Sequence, residues 1–177
     1  MHNVIIKDQV ISNEAKPYFI AEMSGNHNQS FDQAISIIDA AKRVGANALK
    51  LQTYTADTLT IKSRKKDFFV DDKDSLWNGN TLYELYEKAY TDWDWITEIT
   101  KYTQKIGLDC FSSVFDETSV DFMENLNTIA YKIASFENGH IPLIRKAAST
   151  KKPLIISTGM ASENEIDEAV ENAYEAG

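Results

Sequence analysis

The sequence predicts an α/β fold built on a parallel sheet. Five short apolar runs, each ending in a polar loop, alternate with amphipathic helical patterns. That alternation lays helices over a parallel sheet. Two closures compete: an open doubly wound sheet, and a (β/α)8 barrel present as about its first five βα units. No G-x-G-x-x-G follows the first run, so the dinucleotide-binding sheet loses its main support. Polar residues inside the strands suit a barrel with a site at its mouth. A barrel takes about 250 residues for eight units, which fits the spacing seen here.

Residues 4–6 (VII) and 10–11 (VI), separated by Lys7, Asp8 and Gln9, read as a hairpin. A hairpin there can plug the bottom of a barrel. Residues 1–16 are therefore expected to form a hairpin cap and 17–177 an incomplete barrel domain, with His2 disordered. Strands are expected near 18–24, 48–54, 108–114, 129–135 and 153–158, parallel and adjacent in that order. The first, around Phe19, Ile20 and Ala21, reads as buried. Ser30 and Gln33 form a capping-box pair before a helix with Phe31, Ala34, Ile35, Ile38 and Ala41 on one face. In ALKLQTY (48–54), Leu49 and Leu51 point one way, Lys50 and Gln52 the other.

Residues 55–81 are irregular. Their charge run, Lys62 to Asp74, reads as a solvated loop. Phe68, Phe69, Leu76 and Trp77 should pack part of it down, and WNGN (77–80) marks a turn. Two helices follow over 82–90 and 93–106. Beyond Gly107, each strand is again followed by a helical pattern, around Val120, Ile144 and Ile166, the last capped by Ser162 and Glu165.

The chain has 177 residues, 43% of them hydrophobic, and a net charge of −9. That composition builds a sizeable core. The acidic balance argues against a general nucleic-acid surface, which needs a basic excess. The single cysteine, Cys110, excludes an internal disulfide and reads as a buried thiol. No apolar run approaches the ~20 residues of a membrane span, and no signal peptide opens the chain. A cytoplasmic protein without membrane or nucleic-acid partners is expected.

Glu22, Lys50 and Lys132 each sit in an apolar strand context. An unpaired buried charge is costly on the scale of a domain's net stability. One reading is a structural Glu–Lys pair with the second lysine reaching to water. The other is a cationic pocket, in which Glu22 neutralises one lysine and the second awaits an anion. Ser112, Ser113, Ser135 and Ser157 lie near strand ends and are expected on the same side, and hydroxyls with loop N–H groups suit phosphate or carboxylate oxygens. His27 and His140 lie in loops after strands, where either could hold a metal or shuttle a proton.

IAEMSGNHN (20–28), LKLQTYTADTLT (49–60), YKIASFE (131–137) and ISTGM (156–160), in this order, resemble the sialic acid synthase family. LWNGNTLYELYEKAYTDWDW (76–95), with YTADT (54–58), resembles its pseudaminic acid synthase branch. Two positions depart from that branch: Asp92 stands where proline is expected, and Gly25 where alanine is more frequent. The resemblance runs from about residue 17 to the end.

The resemblance implies a TIM barrel and the condensation of phosphoenolpyruvate with an N-acylated amino sugar, 2,4-diacetamido-2,4,6-trideoxy-altrose. It implies a divalent metal, Mn2+ or Mg2+, in a full-length enzyme, with ligands outside this chain, as is the family's antifreeze-like domain. It also implies a homodimer at full length. Lys50, Ser113, Lys132, Ser135 and Ser157 match positions that hold phosphoenolpyruvate. Glu22 matches the carboxylate near the reacting carbons, which makes Glu22 and Lys50 the expected catalytic residues. Glu137 matches a sugar contact, and Asn78 or Asn80 is a looser one. The alternatives are an N-acetylneuraminate or legionaminate synthase, or a non-catalytic anion-binding fragment.

Overall fold

The computed structural model describes residues 4–177, so His2 lies outside the described residues. The chain opens with an antiparallel hairpin, β1 (Val4–Ile6) and β2 (Gln9–Ile11). The parallel strands are β3 (Ile20–Glu22), β4 (Ala48–Thr53), β5 (Asp109–Val114), β6 (Tyr131–Ile133) and β7 (Leu154–Ile156). They pair in sequence order, β3-β4-β5-β6-β7, in a curled sheet that forms half of a barrel. The order never reverses, as it must in a doubly wound sheet.

Helices α1 (Phe31–Arg43), α2 (Ala56–Leu59), α3 (Leu82–Ala89), α4 (Trp93–Ile106), α5 (Glu117–Asn125), α6 (Ile141–Ala148) and α7 (Glu163–Ala176) form the connections. Their ends follow local chemistry. Ser30 accepts from the Gln33 N–H at 3.2 Å, and Ser162 and Glu165 cap α7 reciprocally. Asp92 caps α4 by accepting from the Asp94 N–H at 2.8 Å, a function that proline at that position lacks. Gly107 ends α4 at φ 67°, the left-handed conformation that glycine adopts most readily.

The sheet's alternation splits the core in two. Leu49, Leu51, Cys110, Tyr131 and Ile133 face the helices and pack with Ile38, Ile96, Ile99 and Ile144. Ala48, Phe111 and Ala130 face the concave side, where Ile6 of the hairpin packs against them. Burying each large aliphatic side chain contributes about 1.5–3 kcal/mol. Polar ties hold the hairpin end: Asp109 accepts from Lys7 at 2.9 Å and from the Tyr18 hydroxyl at 2.7 Å.

Several details differ from the sequence reading. The first strand is shorter than 18–24 and is an edge strand, so Phe19 is 62% exposed and Glu22 is also exposed. A neighbour on only one side leaves an apolar run half-covered. Between β4 and α4, Phe69 bridges to Thr81 and Trp77 is half-buried, but Leu76 is fully solvated. Its turn closes through Gly79 at φ 80°.

Candidate active site

Strand register assembles the site. Glu22 is level with Lys50, and one rung higher Gln52, Ser113 and Lys132 are level with one another. These side chains share the concave face, opposite Leu49 and Leu51. The Lys50 ammonium touches the Glu22 carboxylate and donates to Ser113 Oγ at 3.3 Å. The Lys132 ammonium donates to Ser157 Oγ at 2.6 Å. Two lysines and two hydroxyls thus converge across four strands.

Electrostatics make the lysines unusual. Burial, helped by repulsion from Lys132, pushes the Lys50 ammonium down to about 8, while contact with Glu22 acts in the opposite sense. Burial also lowers Lys132, partly offset by the Glu137 carboxylate. An anion docked between them would restore favourable surroundings to both.

Other sequence candidates separate. Ser112 faces the helix side, where its hydroxyl donates to the Ser113 carbonyl at 2.9 Å and accepts from Thr53 at 2.7 Å. Adjacent strand residues point oppositely, so Ser112 cannot join Ser113. Ser135 and Glu137 lie beyond β6 in a single 3-10 turn (Ser135–Glu137). A methyl added at Gly159 would stand 3.4 Å from Ser135 Oγ, so the β7–α7 loop approaches that hydroxyl closely. Burial raises Glu137, against the pull of His140 and Lys132, and its Oε2 is enclosed without a hydrogen-bond partner among the described residues. Asn138 donates to the Ser157 carbonyl at 3.3 Å, which ties this turn to the end of β7.

The loop after β3 is fixed rather than free for chemistry. His27 is fully buried; its Nδ1 accepts from the Gln29 N–H at 3.2 Å, so Nε2 carries the proton and donates to Thr91 at 3.0 Å. That arrangement corrects the metal or proton-shuttle reading of His27. Gln29 donates to the carbonyls of Lys88 and Tyr90 at 2.9 and 2.7 Å. A methyl on Gly25 would meet the Ala89 carbonyl oxygen at 2.9 Å. Ser24, Asn28 and Gln29 hold positive φ of 51°, 49° and 57°, a left-handed backbone that these bonds keep in place. His140 is exposed at the N-terminus of α6. Among the described residues no three of His, Cys, Asp or Glu gather to hold a metal.

Above the lysines a cleft of about 610 Å3 opens, lined by Gln52, Tyr54, Leu82, Tyr86, Phe115 and Glu137, with Ser135 at its edge. Asn78 and Asn80 do not line it; Asn80 closes its own turn by donating to the Trp77 carbonyl at 3.0 Å. Gln52 and Tyr54 were findable, since they share the parity of Lys50. Tyr86 carried no signal, because a helical tyrosine reads as packing.

The NeuB family's sequence profile matches residues 37–177. The chain belongs to the NeuB family. Among its relatives is pseudaminic acid synthase of Campylobacter jejuni, 46% identical over 153 residues, 86% of this chain and 44% of that protein. Pseudaminic acid synthase of Helicobacter pylori is 42% identical over 154 residues, 87% of this chain and 45% of that protein. The crystal structure of Bacillus subtilis spore coat polysaccharide biosynthesis protein SpsE superposes with a TM-score of 0.77 at 29% identity, over 99% of this chain and 45% of that one. An N-acetylneuraminic acid synthetase from Leptospira borgpetersenii shares the fold with a TM-score of 0.81 at 24% identity, over 99% of this chain and 56% of that one. This NeuB-family chain spans a little under half the length of the curated relatives it matches.

Proposed function

We propose that this chain supplies the phosphoenolpyruvate site of a nonulosonic acid synthase of the pseudaminic acid type. The observation behind the reading is the convergence of Lys50 and Lys132 with Ser113 and Ser157, at 3.3 and 2.6 Å, on one concave face. Phosphoenolpyruvate carries a phosphate and a carboxylate, which two cations and two hydroxyls suit. Ser135 belongs to the same anion pocket. Glu22, touching Lys50, borders the reacting carbons, and Glu137 faces the sugar.

In the overall reaction, the methylene carbon of phosphoenolpyruvate bonds to the aldehyde carbon of 2,4-diacetamido-2,4,6-trideoxy-altrose. Water adds to the resulting oxocarbenium carbon, and phosphate leaves with C–O cleavage. Relatives named as pseudaminic acid synthases support that sugar over the neuraminate and legionaminate alternatives. The described residues offer no ligand set for the expected divalent metal. The described part of residues 1–16 serves as a cap and 17–177 as part of the barrel, within a cytoplasmic homodimer at full length.

The test is titration calorimetry with phosphoenolpyruvate on the protein extended to the length of its relatives. Lys132→Met and Lys50→Met should each weaken binding by about 1.5–3 kcal/mol, the range for a hydrogen bond to a charged group. Unchanged affinity in both variants would exclude the assignment.

A further inference from the structure

We propose that Leu59, Leu82 and Tyr86 form a specificity wall that takes an apolar substituent of the second substrate, an acyl methyl or a deoxy carbon, beside Glu137. The proposal rests on the functional reading above and says which element would read the sugar. The three residues belong to α2 and α3, in the excursion between β4 and α4, and they line the cleft above the lysines. Gln52 links the cleft to the anion pocket: it lines the cleft and lies one rung above Lys50 on the same face, level with Ser113 and Lys132.

The lining chemistry is two-sided. One side is apolar and aromatic. Tyr54 meets Tyr86 edge-on with ring centroids 5.8 Å apart, and meets Phe115 at 5.4 Å. Its volume of about 610 Å3 lies within the range that holds small ligands. The other side presents Glu137, whose enclosed Oε2 lacks a hydrogen-bond partner among the described residues. A ligand N–H or O–H reaching that oxygen would satisfy it, as an acylated amino group can. A phosphate there would face the carboxylate, and a fully hydroxylated carbon would set hydroxyls against the apolar side chains of Leu59 and Leu82. The wall therefore favours acylated, deoxygenated amino sugars over phosphorylated or fully hydroxylated ones.

The wall is held in place from outside the cleft. The end of α3 is clamped by the Gly25 approach to Ala89 and by Gln29 bonding to the carbonyls of Lys88 and Tyr90. Tyr86 thus sits on a fixed support.

Saturation-transfer NMR on the protein extended to the length of its relatives tests the wall, with 2,4-diacetamido-2,4,6-trideoxy-altrose, N-acetylmannosamine and N-acetylmannosamine 6-phosphate as probes. Phosphoenolpyruvate binding is followed in parallel by 31P line broadening. The acetyl and C6 methyl protons of the trideoxy sugar should receive the strongest saturation, and the 6-phosphate should bind weakest. Leu82→Asn and Tyr86→Ser should each weaken the trideoxy sugar by about 10-fold or more, the scale of a lost apolar contact, while phosphoenolpyruvate binding persists. Tyr86→Phe should weaken the sugar far less than Tyr86→Ser, which separates the ring from the hydroxyl. Phosphoenolpyruvate binding with sugar affinity unchanged in both Leu82→Asn and Tyr86→Ser would overturn the wall alone. Absence of phosphoenolpyruvate binding by the unsubstituted extended protein would overturn the functional reading beneath it.

Discussion

Glu22 and Lys50 are register partners on neighbouring parallel strands, and their charged groups are in direct contact. The pair is asymmetric: Lys50 lies in the sheet interior, whereas Glu22 lies on the edge strand with a side chain 39% exposed. Water reaches the carboxylate more easily than the ammonium. The lysine therefore bears most of the desolvation.

That asymmetry gives a pH dependence. Lys50 is pushed from 10.5 to about 8 by burial and by Lys132. Anion affinity should fall as pH rises through 8, by up to about tenfold per unit once the ammonium deprotonates. Binding above pH 8 should take up protons, visible as a buffer-dependent calorimetric enthalpy. Glu22→Gln removes the group that favours the ammonium, so the loss should begin at lower pH. For stability the sign is reversed: between about 8 and 10.5 the unfolded chain binds more protons at this site, so its contribution to stability rises with pH.

His27 should act as an acid-sensitive fastener. Burial lowers its pKa below 6.5, so the unfolded chain protonates first. Its contribution to stability is complete above pH 6.5 and is lost as pH falls below that value. A series of urea melts should show a falling midpoint on acidification, and His27→Gln should flatten that slope. An unaltered slope in the variant would mean that other groups govern the acid limb.

The hairpin should matter to stability through one residue. Ile6 is 4% exposed and packs on Ala48, Phe111 and Ala130. Ile6→Ala should cost about 2–5 kcal/mol by leaving a cavity on the concave side, read as a lower denaturation midpoint. A cost within about 0.5 kcal/mol, typical of surface changes, would show that the hairpin detaches freely.

Both β3 and β7 have a paired neighbour on one side only. Open edges with apolar flanks such as Phe19 and Ile20 invite association. The 177-residue chain should therefore self-associate in light scattering. Given phosphoenolpyruvate, Mn2+ and the diacetamido sugar, it should release phosphate only at background. Phosphate release stoichiometric with nonulosonic acid would sink this expectation.

The strand–helix alternation and the facing of Lys50 and Lys132 were legible because side-chain parity in a strand is local information. The exposure of Glu22 was not, since whether a strand lies at an edge depends on what pairs with it. Ser112 was misplaced beside Ser113 because a dipeptide invites a shared role, while the pleat separates the two. His27 was open to a metal reading because its partner, Thr91, lies far along the chain. The turn holding Ser135 and Glu137 replaced the expected strand end, because β6 pairs over only three residues, Tyr131–Ile133. Leu59, Leu82 and Tyr86 were invisible for a related reason: their apolar character is what any helix shows toward a core.

Gly25 and Ala89 lie far apart in sequence, yet the space for a methyl at the first is occupied by the carbonyl of the second, 2.9 Å away. A relative with alanine at the position of Gly25 must hold its counterpart of residue 89 further out. The helix carrying Tyr86 then moves with it. A single-methyl change at position 25, remote from any ligand, is therefore a lever on the width of the cleft.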